Sequence, residues 1–281
     1  MTETRFHAPE RLEDAISLLS ADEDARPLAG GQTLVAMLNA DLLSPSQIIS
    51  LHRIKALQGI ERRADGSLRI GAMTTHATLA RSAELRGAHV LLGQAAGRIG
   101  HEAIRNRGTI GGAVAHADPS ADYPPVLVAL EALIEAVGPK GKRAVPAAEF
   151  FQGFLTTALT LGEIVSAIIL QPSPAQARVH YEKFARVEGD FATLSVAVAL
   201  WGGGVRIALG SVGPVPVRSL DAEAILVAGQ MSDGAIKEAS AKLAAASDPI
   251  DDVRGSADYR RLLIPRLVKQ AIRAAQAKDA R

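Results

Sequence analysis

Two adjacent glycines, Gly111 and Gly112, mark the segment that most restricts how this chain can fold. The basic residues Arg105 and Arg107 precede them, and small residues follow as far as a His-Ala-Asp-Pro turn over residues 116–119. Because glycine has no Cβ, such a segment lets the backbone approach a ligand closely and present its N–H groups. The pattern therefore predicts a glycine turn that binds an anionic group such as a diphosphate.

A second glycine segment lies upstream, over residues 27–34, inside a βαβ pattern. The sequence predicts a strand over residues 26–29, a helix over 34–39 and a second strand over 47–51. The glycine pair between the first strand and the helix suits a phosphate site, with an ordinary tight turn as the alternative. Its spacing fits neither the dinucleotide fingerprint G-x-G-x-x-G nor a P-loop.

Composition narrows the classes of protein to which the chain can belong. Its 281 residues, 48% of them hydrophobic, can bury a large core and favour two domains. With a net charge of only +1, the chain lacks the large positive charge that would attract nucleic acid. The sequence has neither an apolar run of about 18 residues nor the apolar stretch of a signal peptide, so we expect a cytoplasmic protein without a membrane span.

The sequence contains no cysteine, which limits its redox chemistry. Without thiolates the chain cannot ligate an iron–sulfur cluster, form a disulfide or attach flavin through sulfur. Its seven histidines lack the spacing of a metal-binding pair, so no metal site is expected. Any iron–sulfur cluster that serves this chain must therefore lie on another subunit.

A second lobe is predicted after the βαβ unit. Strands are predicted over residues 68–72 and 163–170, helices over residues 76–82, 89–99 and 124–130, and a hairpin over residues 132–145. Thr75 is placed to cap the first of these helices, and glycines at positions 138 and 141 mark the hairpin turn. A Gln-Pro-Ser-Pro linker over residues 171–174 closes the lobe.

After the linker, three strands precede alanine-rich helices, an order typical of an α+β domain. The strands are predicted over residues 179–184, 193–201 and 205–212, and the helices over residues 219–228, 232–246 and 256–277. Pro265 lies within the last helical pattern and is expected to kink or split it. The terminal residues 278–281 are expected to fray.

Taken together, the two ordered glycine segments resemble those of the FAD-binding subunit of the molybdenum hydroxylases. This family includes the medium subunit of aerobic carbon monoxide dehydrogenase and the FAD-binding subunit of xanthine dehydrogenase. The resemblance spans residues 6–266 and includes the motifs at 181–192, 213–218 and 251–260. At Ala113 many members of the family have asparagine, so a side-chain contact is lost here while the backbone N–H is kept.

The resemblance implies an α+β fold. A two-lobed FAD-binding domain of the vanillyl-alcohol oxidase (PCMH) type is implied over residues 1–172, with its lobes at about 1–56 and 57–172. A smaller α+β domain, with a three-stranded sheet plus helices, is implied over residues 173–281. FAD is expected to lie extended between the two domains, with its diphosphate on the glycine segments.

The resemblance also assigns residues to a non-covalent FAD and none to catalysis. The two glycine segments are expected to hold the diphosphate and ribityl chain through Pro27, Leu28, Ala29, Gly30, Gly31, Gln32, Thr33, Leu34, Thr109, Ile110, Gly111, Gly112 and Ala113. Asp122 is implied to contact FAD, where a carboxylate could accept from ribose hydroxyls; a helix cap is the alternative. Lys183 is implied to reach the flavin ring and Phe191 to cover one ring face; a solvated strand position and ordinary core are the respective alternatives. Four polar residues keep an open role: Arg105, Arg107, His116 and Asp118.

The family implies electron transfer within a larger enzyme. A large subunit with molybdopterin oxidises the substrate, a small subunit carries two [2Fe–2S] clusters, and this subunit passes the electrons to an external acceptor. A dimer of heterotrimers is the expected assembly. The alternatives are a stand-alone FAD oxidoreductase of the vanillyl-alcohol oxidase group and a flavin-binding scaffold without redox activity.

Overall fold

The computed structural model describes residues 4–174 and 176–277 of the chain. The first lobe consists of β1 (Arg5–His7), α1 (Leu12–Ser20), β2 (Arg26–Leu28), α2 (Leu34–Asn39) and β3 (Gln47–Ser50). Its three strands form a parallel sheet in the order β1-β3-β2, so the predicted βαβ unit is confirmed and β1 is an additional edge strand. Buried Ala15 and Leu19 of α1 pack with Ile49 of β3 to form the small core of this lobe.

The second lobe is built on an antiparallel sheet of five strands. Its elements are β4 (Ile60–Arg62), β5 (Leu68–Gly71), α3 (His76–Ala80), α4 (Val90–Gly97), α5 (Glu102–Arg107), α6 (Ile110–His116), α7 (Tyr123–Ala129), β6 (Leu133–Gly138), β7 (Gly141–Pro146), α8 (Ala147–Phe150), β8 (Phe151–Gly153), β9 (Thr156–Thr157) and β10 (Ile164–Leu170). The order is β4-β5-β10-β6-β7, and β10 is buried along its whole length, as its apolar sequence predicted. Thr75 caps α3 by accepting a hydrogen bond from Thr78 N at 3.2 Å, which confirms that prediction too.

The C-terminal region has four antiparallel strands followed by three helices. They are β11 (Arg178–Phe184), β12 (Leu194–Trp201), β13 (Gly204–Gly210), β14 (Val217–Arg218), α9 (Leu220–Ala228), α10 (Asp233–Ala245) and α11 (Ala257–Gln276). The predicted three strands are all present, and β14 was missed because two residues are too few for a periodic pattern. Gly202 and Gly203 form the turn between β12 and β13, where Gly203 has a φ of +87°.

Pro265 was expected to kink or split the last helix. The split is wrong, since α11 runs through Pro265 as one helix, and the kink stays a prediction. Pro265 itself is exposed, while Ile264 and Leu267 on either side are buried. The carbonyl that loses its helical partner to proline can therefore bond to water, which reduces the penalty. No helix in the described ranges is long and apolar enough to cross a membrane, and residues 278–281, expected to fray, lie outside those ranges.

One hydrophobic core continues from the second lobe into the C-terminal sheet. Alternate side chains of β12 point to opposite faces, so Ala197 and Ala199 join the core around Leu127 of α7, while Val196 and Val198 pack towards α9, α10 and α11. The sheet is thus covered on both faces, which explains why β12 is apolar along its length. This packing fixes the C-terminal sheet on the second lobe.

Candidate functional site

The two glycine segments lie in direct contact. Gly31 has a φ of +76°, a left-handed conformation that turns the chain from β2 towards α2. A Cβ on Gly30 would overlap the carbonyl oxygen of Arg107 and lie 2.7 Å from the Cα of Gly108. Glycine at position 30 is therefore required for the first segment to pack on the turn that leads into the second.

The first segment offers free backbone donors. Within the described ranges, the N–H groups of Gly30, Gly31, Gln32 and Thr33 have no hydrogen-bond partner, whereas the carbonyls of Gly31 and Thr33 accept from α2. The side chain of Gln32 donates to Gly30 O at 3.2 Å and so braces the turn from within. Consecutive unpaired N–H groups form a concave site suited to an anion.

The second segment has fewer free donors, because four of its N–H groups are bonded within the protein. It forms the first turn of α6, where Thr109 Oγ1 accepts from Gly112 N at 3.2 Å. Ile110 N donates to Thr74 O at 3.0 Å, and Gly111 N donates to Ala72 O at 2.8 Å. A Cβ on Gly111 would overlap the Ala72 side chain, so this glycine serves close packing against the end of β5. The first segment therefore presents more unpaired N–H groups than the second does.

An open cleft lies between the two segments. The predicted site residues that line it are Pro27, Ala29, Gly30, Gly31, Gln32, Thr33, Leu34, Thr109, Gly111, Gly112 and Ala113. Every lining residue belongs to the first or second lobe, so the cleft separates the two lobes. No described residue of the C-terminal sheet, which packs on α7, is part of this lining.

His76 also lines the cleft, and sequence reasoning did not single it out. Its side chain is buried, with Nδ1 2.8 Å from the hydroxyl of Tyr123. Burial, together with a smaller effect of the nearby Arg105 guanidinium, lowers the pKa of His76 from 6.5 to about 4. The imidazole is therefore neutral at pH 7. The only sequence signal was its position directly after the helix cap Thr75.

Asp122 and Lys183 lie away from this cleft and bind each other. Lys183 Nζ is 2.9 Å from Asp122 Oδ1 and donates to Arg98 O at 3.1 Å, while the Tyr181 hydroxyl donates to Asp122 Oδ1 at 2.7 Å. Burial raises the pKa of the Asp122 carboxyl, and the Lys183 charge opposes that shift. Neither alternative from the sequence holds: Asp122 caps no helix N–H, and the Lys183 side chain is only 2% exposed.

The other predicted residues lie in three different surroundings. Ile110 is fully buried in the core, and Leu28 lines a shallow depression outside the cleft. Phe191 is 41% exposed, with the Arg254 guanidinium 5.0 Å from its ring centroid, so the alternative of ordinary core is wrong.

The structure places the four polar residues with open roles in different surroundings. Arg105 donates to Ile99 O at 3.1 Å and to Gly100 O, and thereby holds the turn before α5. Asp118 Oδ1 accepts from Ser120 N at 2.8 Å, as expected for a turn residue. His116 lines the cleft, and Arg107 contributes its carbonyl to the contact with Gly30.

Comparison with known proteins identifies the family. Residues 2–173 match the family described as "FAD binding domain in molybdopterin dehydrogenase", and residues 179–275 match "CO dehydrogenase flavoprotein C-terminal domain". The chain belongs to the FAD-binding medium subunits of the molybdenum hydroxylases. It therefore carries an FAD-binding domain, as the glycine segments indicated.

Relatives and a solved structure agree over the full length of this medium subunit. The carbon monoxide dehydrogenase medium chain of Hydrogenophaga pseudoflava is 36% identical, and the nicotine 6-hydroxylase medium subunit of Paenarthrobacter nicotinovorans is 37% identical; each match covers 98% of both chains. A structure of carbon monoxide dehydrogenase from Hydrogenophaga pseudoflava matches with a TM-score of 0.94 at 37% identity, covering 99% of each chain. The fold class implied by the resemblance is confirmed.

The residues of the cleft fit an FAD. Four consecutive N–H groups without partners are suited to a diphosphate, and the glycines leave bare backbone where side chains would otherwise project. With no cysteine in the sequence, the flavin cannot be linked through sulfur.

A first prediction concerns the buried pair. Lys183→Met should lower the free energy of unfolding by about 3–5 kcal/mol, because it leaves the Asp122 carboxylate buried without a charge partner. The double variant Asp122→Asn/Lys183→Met should recover part of this loss. The measurement is urea unfolding at a fixed FAD concentration. Lys269→Met, which breaks an exposed pair with Asp233, is the matched control and should cost about 0–1 kcal/mol. Equal losses in the two lysine variants would contradict a stabilising role for the pair.

A second prediction concerns pH. Because folding depresses the pKa of His76, the unfolded chain takes up this proton first, and stability falls as the pH drops from about 6.5 towards 4. Between about pH 7.5 and pH 5 this single group should remove about 2 kcal/mol from the free energy of unfolding. His76→Gln should lose less stability over that interval by this amount, measured by urea unfolding at both pH values. His52→Gln, at an exposed histidine, should lose as much as the wild type.

Proposed function

We propose that this medium subunit accepts electrons from [2Fe–2S] clusters on a partner subunit and passes them to an external acceptor through a non-covalent FAD. FAD, when bound, takes up two electrons and can exchange them singly, which suits it to link one-electron clusters to a two-electron acceptor. The observation that carries the proposal is the contact between the two glycine segments, the first of which has unpaired N–H groups, in a chain of this family that has no cysteine.

In the proposed binding mode the two glycine segments have different roles. The N–H groups from Gly30 to Thr33 hold the diphosphate, and Pro27, Leu28, Ala29 and Leu34 shape the turn around them. Thr109, Gly111, Gly112 and Ala113 form the facing wall, with Ile110 anchoring it in the core. The close contact of Gly30 with Gly108 keeps the wall at the distance that a thin, extended ligand needs.

Three residues are proposed to act at the flavin end. The exposed ring of Phe191 is free to cover one face of the flavin, as the family resemblance implies. Asp122 and Lys183 are proposed to act at the flavin end only indirectly, because their charged groups form an ion pair with each other. They hold β11 against the second lobe, and β11 leads to the loop that carries Phe191.

The division of the chain follows from the same proposal. A two-lobed FAD-binding domain over residues 1–172 and a smaller domain over 173–281 would each contribute one end of the cofactor site. Separate sheets on the two sides of residue 173 support this division. A cytoplasmic location stays a prediction.

The proposed partners are a large subunit with molybdopterin and a small subunit with [2Fe–2S] clusters, assembled as a dimer of heterotrimers. The names of the relatives, medium chain and medium subunit, support an assembly of several chains. A stand-alone FAD oxidoreductase of the vanillyl-alcohol oxidase group is disfavoured, because the matches to these subunits extend over 98% of both sequences.

A third prediction tests whether the two glycine segments bind the diphosphate. Gly31→Asp and Gly112→Asp should each abolish FAD retention, because each places a carboxylate where the diphosphate should meet backbone. Strain at the left-handed Gly31 adds about 1–3 kcal/mol to the first variant. The readout is the FAD content per chain after gel filtration.

The matched control for these variants is Gly203→Asp. This glycine also has a positive φ, and a Cβ there meets nothing within 4 Å, but it lies in the turn between β12 and β13. We expect the control to keep its FAD. Normal FAD content in Gly31→Asp and Gly112→Asp would refute the diphosphate assignment.

A fourth prediction tests the assembly. Native protein purified through a tag on this chain should contain iron, molybdenum and two further subunits, with a mass by light scattering that matches two heterotrimers. The isolated chain should bind FAD and oxidise no organic substrate. A lone polypeptide that turns over an organic substrate with FAD alone would favour the stand-alone oxidoreductase.

A further inference from the structure

His76 lies directly behind the contact between the two glycine segments. A Cβ on Gly108 would be 2.6 Å from His76 Nε2, and a Cβ on Gly30 would be 2.7 Å from the Cα of Gly108. Imidazole, Gly108 backbone and Gly30 backbone therefore form three successive layers. His76 N donates to Gly108 O at 3.0 Å and locks the first two layers together. His76 and Gly108 both line the cleft.

The hydrogen bond to Tyr123 decides which ring nitrogen carries the proton. Tyr123 is fully buried, and His76 Nδ1 is the only hydrogen-bond partner of its hydroxyl within the described ranges. If Nδ1 were the donor, the phenolic proton would be buried without an acceptor, which costs more than a hydrogen bond returns. The hydroxyl therefore donates to Nδ1, and the ring proton lies on Nε2.

The charge state agrees with this arrangement. Burial lowers the pKa of His76 to about 4, and the Arg105 guanidinium acts in the same direction. The ring is thus a neutral N–H donor. Its Nε2 has no hydrogen-bond partner among the described residues, although only 4% of the residue's surface is exposed. Nε2 is not fully enclosed, so this donor in the wall of the cleft can reach an acceptor on a ligand.

We propose that His76 Nε2–H donates a hydrogen bond to a diphosphate oxygen of FAD, with Tyr123 fixing the tautomer that makes this possible. The inference rests on the proposed placement of the diphosphate in the cleft between the glycine segments. His76 is then a binding residue on the second lobe, opposite the N–H groups of the first segment. It supplies the direct donor that the occupied N–H groups of Gly111 and Gly112 cannot.

The first test compares two variants by titration of FAD-free protein with FAD, followed by flavin fluorescence. His76→Phe removes the donor and should weaken FAD binding about ten- to hundredfold, the usual effect of losing a hydrogen bond to a charged group. His76→Gln places an amide N–H near the position of Nε2 and should keep the affinity within about threefold. The matched control is His89→Phe, at a buried histidine of the same lobe that bonds Gln171 O outside the cleft. Its folded fraction should bind FAD as the wild type does.

The second test needs no variant. In protein labelled with 15N-histidine, the His76 signals should show the Nε2–H tautomer, and addition of FAD should move the Nε2 proton downfield while leaving His89 unchanged. A Nδ1–H tautomer, or wild-type affinity in His76→Phe, would overturn the inference. Failure of the wild-type chain to bind FAD would instead overturn the proposed function.

Discussion

The close contact between Gly30 and the backbone of Arg107 and Gly108 is the constraint on which the site depends. It joins the parallel sheet of the first lobe to the antiparallel sheet of the second, with no side chain between them. A single methyl group on Gly30 would force the two segments apart. The cleft that results has a run of unpaired backbone donors on the side of the first segment, which suits a ligand with an anionic group.

The second domain is fixed by a different interaction, the buried pair of Asp122 and Lys183. Breaking such a pair is costly because the remaining charge has no water around it. Tyr181 binds the same carboxylate and also donates its backbone N–H to the Gln94 side chain at 2.9 Å, so β11 is tied to the second lobe at several points. Apolar side chains of β12 also pack on α7, so the two domains are held together by both the ion pair and apolar contacts.

Most regular elements could be predicted because their signals are local. Apolar periodicity located β10, β12 and the C-terminal helices, and glycine pairs located the turns. The errors came where local rules gave incomplete information. The local pattern also did not show that Gly111 packs closely on Ala72, a contact that glycine permits within a helix. Pro265 was expected to break α11, but it faces solvent.

The sequence by itself determined the family, the α+β class and the two glycine segments, because each depends on residue type and order along the chain. Only the tertiary structure decided that the first segment keeps its N–H groups free while the second uses them, since hydrogen-bond partners such as Ala72 and Thr74 are distant in sequence or belong to another element. The pairing of Asp122 with Lys183, 61 residues apart, and the placement of His76 behind Gly108 likewise depend on packing. A sequence shows which groups can donate or accept, and only the folded chain shows which of them are already paired.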